Sequence, residues 1–131
     1  MAEVLAPKLG QLKSSHGAAV AVDKSLLTVS SVLYDAVCVP RGKKSAVALS
    51  GDADAIHFLN QAFKHCKAVA IHPDADAILQ KTNIAALLAG NAEVPGLVTT
   101  DTKQKPFVKT FIAAIAAHRA WEREKLSKNP A

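Results

Sequence analysis

Among the side chains able to do chemistry in this 131-residue chain are five histidines, two cysteines and eleven carboxylates. Their spacing narrows what that chemistry could be. His72-Pro73-Asp74 with Asp76 sets an imidazole close to two carboxylates, a donor set able to ligate a divalent ion or pass a proton. Such short spacings recur by chance. Asp74 has a simpler use as the N-cap of the following helix, so no metal is expected. Cys66 lies beside Lys64, His65 and Lys67, whose charge would favour a thiolate. The C-terminal end of a helix opposes one, and helical spacing turns Cys66 inward. Cys66 and the mid-strand Cys38 are both expected to be inert core thiols. His65 and His118 lack a third ligand. Val39-Pro-Arg-Gly-Lys-Lys44 fits neither glycine-rich phosphate spacing and reads as a solvated basic turn. Ser30, Ser31 and Ser45 have no partnered histidine in a recognisable motif.

Composition bounds the setting for these residues. The length suits one domain, with a structured part over residues 1–125 and a polar tail over 126–131. Half the residues are hydrophobic, enough for an aliphatic core without disulfide staples. The net charge of +5 is dispersed: Arg41, Lys43 and Lys44 form one group, and Lys103, Lys105 and Lys109 another. Aromatic residues do not interleave with them, so no nucleic-acid partner is expected. Two cysteines in apolar segments suggest a reducing, cytoplasmic setting. No segment approaches the roughly 20 apolar residues of a membrane span, and the first residues lack a signal-peptide pattern.

The elements that would position these groups follow from periodicity. Val4–Ala6 is a short extended run before Pro7. Residues 11–14 and 18–22 flank Ser15-His16-Gly17 as a hairpin, and Leu26–Val29 adds another extended piece. Asp35–Pro40 reads as a strand covered on both faces. The clearest helix is Asp52–Cys66, with Ile56, Leu59 and Phe63 on one stripe and acidic and basic residues at opposite ends. Ala68–Ile71 is a second buried strand and Leu97–Thr100 a third. Asp74–Gln80 and Ile84–Leu88 read as helical turns. A final helix opens near Pro106, with Phe107, Phe111, Ala114, Ile115, His118 and Trp121 along one side. Alternating strands and helices predict an α/β domain built on a parallel sheet.

Three stretches carry a resemblance. Leu33-Tyr-Asp-Ala-Val-Cys-Val-Pro40, Asp54-Ala-Ile-His-Phe-Leu-Asn-Gln-Ala-Phe-Lys-His-Cys-Lys67 and Phe111-Ile-Ala-Ala-Ile-Ala-Ala-His-Arg-Ala-Trp-Glu-Arg123 resemble the C-terminal domain of large-subunit monofunctional catalases. The most specific parts are Ala117-His-Arg-x-Trp121 and the helix end Ala62-x-Lys-His-x-Lys67. Departures from the family pattern are Gln61 and Phe63 for Glu and Tyr, Ala68 for Pro, and Arg41 at a position that is usually small.

The resemblance implies a flavodoxin-like parallel sheet with helices on both faces, similar to the DJ-1/PfpI superfamily and class I amidotransferases. It also implies a tetrameric parent enzyme that dismutates hydrogen peroxide with haem. The haem and its ligands would belong to a β-barrel portion that is not in this sequence. Tyr34, the sole tyrosine, lacks the Arg-x-x-x-Tyr context of the haem ligand and reads as a core-edge residue. The usual first β-α unit is missing ahead of Val4. Because that strand lies mid-sheet in the flavodoxin order, unpaired edges would remain. The sequence leaves three ways to meet them: a cut from a longer protein, rearranged N-terminal residues, or another chain in the gap.

Superfamily enzymes carry a nucleophilic Cys at the turn after a central strand. At the matching turn this chain has His72, followed by Pro73, which removes a backbone N–H that could serve an oxyanion, and Asp74. The elbow is thus expected to be degenerate, with no catalytic residue and no cofactor in this chain. Three functions remain in view. The first is a structural domain packed on a catalase core and neighbouring subunits, or self-associating, that supports stability, assembly or channel access. The second is a chaperone-like holdase for unfolded clients. The last is a hydrolase without its nucleophile.

Overall fold

The structure, a computed structural model, describes residues 3–7, 10–13, 19–90, 94–117 and 119–121. Its centre is a strand of four apolar residues, Ala68–Ile71, each at most 1% exposed. We number the strands β1 (Leu5–Ala6), β2 (Gly10–Lys13), β3 (Ala19–Val22), β4 (Lys24–Ser25), β5 (Ala36–Val39), β6 (Ala68–Ile71) and β7 (Leu97–Val98). The helices are α1 (Lys43–Ser50), α2 (Ala53–Lys64), α3 (Asp76–Leu79), α4 (Ile84–Gly90) and α5 (Phe107–Ala116). The parallel sheet has the order β5-β6-β7, with Ala36 opposite Ala68 and Val69 opposite Leu97. β2 and β3 form the expected antiparallel hairpin, while β1 pairs in parallel with β4. The Ser15-His16-Gly17 turn, His118 and the 126–131 tail lie outside the described residues.

Side chains alternate across a strand, and here the alternation divides the core in two. Val69 and Ile71 join Phe58, Leu59 and Phe63 of α2, with Ile78 and Ile84 from α3 and α4. Ala70 points the other way, with Val98 and Phe107, and Phe111 and Ala114 of α5 cover that side. Helices therefore lie on both faces, as the α/β, flavodoxin-like reading requires. Fully burying a side chain such as Phe63 contributes roughly 1.5–3 kcal/mol.

α2 is built as its pattern predicts. Asp52 caps it, its Oδ1 accepting from Asp54 N at 2.9 Å and Ala55 N at 3.4 Å. Its other end closes with Lys67 N donating to Ala62 O and Cys66 N to Phe63 O, both at 3.1 Å. These two bonds form a Schellman closure, and Cys66 fills its left-handed position at φ 61°, where glycine is usual.

Several expectations need correction. Leu26–Thr28 is a turn rather than an extended run. β5 is not covered on both faces: Val39 is buried, but Cys38 is exposed, so Cys38 is no core thiol. No strand among the described residues pairs with the outer side of β5. Asp74 does not cap α3, because it lies in the 3-10 turn Pro73–Ala75, whose cap is the His72 side chain. The final helix ends at Ala116, which leaves Trp121 outside it and 60% exposed, with Ile115 also exposed. α1 starts at Lys43 and Lys44, the last two residues of the expected basic turn, and runs on to Ser50 through a stretch whose pattern predicts no element. Among the described residues no helix is long and apolar enough to cross a membrane.

Candidate functional site

In open parallel sheets, ligand sites form beyond the carboxyl ends of the strands, and the chain brings three charged or polar groups together there. Arg41 follows β5, His72 follows β6, and Asp101 lies beyond β7. His72, only 7% exposed, contacts the Asp101 Oδ2 through Nε2 at 3.3 Å. Arg41 approaches the same oxygen at 3.7 Å. The other oxygen, Oδ1, accepts the Phe107 N–H at 3.1 Å. Asp101 thus caps α5, whose N-cap residue Pro106 has no side-chain hydrogen bond of its own. The Phe107 N–H, then His72 and Arg41, hold the Asp101 carboxyl below its ordinary value of 3.8.

The His72 ring is constrained on every side. Nδ1 accepts the Asp74 N–H at 3.1 Å, which requires that nitrogen to be unprotonated. The ring proton is thereby assigned to Nε2, which donates to Asp101. The ring edge packs on Phe107, with centroids 5.1 Å apart and planes at 72°. A general base needs a lone pair free to take a proton from substrate. Both ring nitrogens of His72 are already engaged. Pro73 contributes no N–H. The two contacts of His72 tie the turn after β6 to the start of α5.

The three side chains weighed from sequence for metal binding do not converge. Asp74 Oδ2 is 3.9 Å from His72 Nδ1, a nitrogen already accepting a backbone N–H, and Asp76 Oδ1 accepts from Gln80 Nε2. Among the described residues no group of three His, Cys, Asp or Glu side chains could hold a metal ion. Asp101 was missed by sequence reasoning. Its one signal is an acid six residues ahead of Phe107, where the helix opens after Pro106.

A second polar cluster lies at the opposite end of the sheet. Lys67 is not a helix-end surface charge. It is buried, and its Nζ donates to the Ser31 carbonyl. Burial, and then the nearby Arg119, push its ammonium below the usual lysine range. Arg119 Nη2 reaches Asp35 Oδ1 at 3.3 Å. Cys66 is buried as expected, although it lies past the end of α2, in the left-handed turn, rather than in the helix. Tyr34 does not suit a haem ligand. Its hydroxyl donates to Glu3, and burial, then Glu3, push the phenol up to about 12. It packs against Phe58 and the main core instead.

Comparison with known proteins gives the setting for this geometry. The family model described as the C-terminal domain found in long catalases matches residues 1–125. Catalase HPII of Mycobacterium avium is 40% identical over 129 residues, covering 92% of this chain and 18% of that protein. Catalase-2 of Bacillus subtilis is 34% identical, covering 92% of the chain and 16% of its own length. Catalase-B of Dictyostelium discoideum is 30% identical over the whole chain and 18% of its own length. The chain therefore spans less than a fifth of each of these relatives. With a family model over nearly all its residues, a parallel sheet and helices on both faces, this chain belongs to the family of C-terminal domains found in long catalases.

Proposed function

We propose that the chain is a non-catalytic structural domain serving a parent enzyme that dismutates hydrogen peroxide at haem held elsewhere in the protein. The observation that carries this reading is the engagement of His72, the side chain at the superfamily's nucleophile position. Both its nitrogens are spent on Asp74 N and Asp101, so the degenerate elbow His72-Pro73-Asp74 braces the fold. On this reading the domain packs on the catalase core and neighbouring subunits and supports stability, assembly or channel access. Its two cysteines, few and set in apolar segments, suit a reducing cytoplasm.

The test uses a long catalase. Removing the segment matched by this chain from the Mycobacterium avium relative should leave haem loading and turnover per haem intact, while lowering the melting temperature or the oligomeric state. Loss of haem from correctly folded truncated protein, or no change in any of these, would contradict the proposal.

A second reading, a holdase for unfolded clients, is favoured by one feature. Val108 and Ile112 of α5 are 65% and 59% exposed, with exposed Ile115 continuing the stripe. Suppressed aggregation of a heat-denatured client at substoichiometric ratio, abolished by Ile112→Asp, is the outcome expected of it. Protection no better than that from serum albumin would dismiss it.

A further inference from the structure

The end of the sheet remote from His72 carries a feature that the structural reading leaves unused. Beyond α5 the backbone returns antiparallel to the start of β6. Arg119 forms a β-bridge with Lys67, and the Ala120 N–H donates to the Cys66 carbonyl at 2.7 Å. This return borders a cavity of about 410 Å³ between the C-terminal end of α5 and Pro95-Gly96. Ala114, Ala117 and Ala120 supply much of its wall, and among the described lining residues only Arg119 is charged.

The guanidinium at this cavity is incompletely satisfied. Nη2 meets Asp35, an exposed carboxylate, but Nη1 is shut off from solvent and has no hydrogen-bond partner among the described residues. A buried, unpaired N–H of a charged group is costly. Lys67 adds a second basic group beside a single carboxylate, and its Nζ is taken by Ser31. The last carbonyls of α5 favour positive charge nearby, yet they give Nη1 no aligned acceptor. One planar anion would complete the pairing.

We propose that this cavity binds a small aliphatic carboxylate, its acid group paired with Arg119 and its short hydrocarbon tail against Ala114, Ala117 and Ala120. A carboxylate matches the planar fork of a guanidinium with two parallel bonds. Its single charge matches the single excess cation. Alanine walls offer no further donors of the kind a phosphate would need, and they suit a hydrocarbon tail. Because Nη1 is shielded, binding requires the whole guanidinium to swing toward the cavity and exchange exposed Asp35 for the ligand's acid group, while the backbone bridge to Lys67 stays in place.

The experiment is a titration of the full chain with butyrate at fixed ionic strength. Amide resonances of Ala68, Gly96 and Ala120 and the guanidinium signals of Arg119 are followed by NMR, with acetate and chloride as comparison anions. Saturable shifts with butyrate, weaker with acetate and absent with chloride, are expected. Arg119→Gln should weaken binding about tenfold or more. Should that variant fail to fold, Ala117→Leu, which fills the cavity and keeps the guanidinium, should abolish butyrate binding. Equal binding of acetate and butyrate would point to a bare acid group, such as a partner's Asp or Glu side chain, and would overturn the small-ligand assignment. No saturable shift with butyrate, or undiminished binding by Ala117→Leu, would overturn it as well.

Discussion

His72 shows how the same side chain can serve as a catalyst or as a brace, depending on where its lone pair goes. Asp101 shares that brace and carries a pH dependence. A carboxyl held below its ordinary value binds its proton more weakly in the native state than in the unfolded one. It therefore stabilises the fold above about pH 3.8, and that contribution is lost as pH falls through the lower native value. Acid unfolding followed by circular dichroism should show a shallower loss below pH 4 for Asp101→Asn, from a lower starting stability. An acid limb identical to wild type would remove Asp101 from the account. The two thiols should also separate. Cys38 is exposed on its outer side, yet partial desolvation of its thiol raises it above the usual range, and Cys66 is buried. A maleimide reagent at neutral pH should label Cys38 slowly and Cys66 only after denaturant is added; rapid labelling of Cys66 in native protein would contradict its placement. Neither Asp101 nor the burial of Lys67 was legible in the sequence. Each depends on partners brought from 29 and 36 residues away, His72 and Ser31 respectively.

Elements were legible where one stretch of chain contains its own reason to fold. α2 has a cap, a continuous apolar stripe and charges that suit its dipole, so its sequence pattern and its coordinates agree to within two residues. α1 has none of these: Lys43 and Lys44 lie at its N-terminal end, Gly42 offers no side-chain cap, and only Ala46 is buried. It forms because Ala46 packs into the main core, a tertiary reason invisible in local pattern. The sequence predicts a longer α5 because its apolar spacing continues past Ala116, whereas Arg119 bridges back to Lys67. Two substitutions test α2. Asp52→Ala removes the cap and should cost about 1 kcal/mol in chemical denaturation; an unchanged midpoint would mean the cap is idle. Cys66→Val adds one heavy atom at a buried site and sets a β-branched residue at φ 61°, and should cost about 1–3 kcal/mol. Little change there would mean that the turn relaxes out of the left-handed region.

At the scale of the molecule, strand-helix alternation was enough to give the α/β class, and the three-strand parallel order agrees with it. Coverage of β5 was not legible. Its run of consecutive apolar residues is compatible with burial on one face or both, and the choice rests on whichever chain segment lies beside it. Val37 and Val39 meet the main core while Cys38 faces outward. Val108 and Ile112 are likewise exposed on α5. The two ends of the sheet thus divide their labour. At the carboxyl ends, polar groups brace one another; at the other end, the shielded Nη1 of a half-buried guanidinium lacks a partner among the described residues.

The most direct test is made on the chain itself. The full 131-residue protein is titrated with haemin while its Soret absorbance is followed, and peroxide consumption is then measured on the same sample. The structural reading expects no saturable haem binding and peroxide loss equal to that of free haemin. Stoichiometric haem uptake, with turnover above that background, would contradict it.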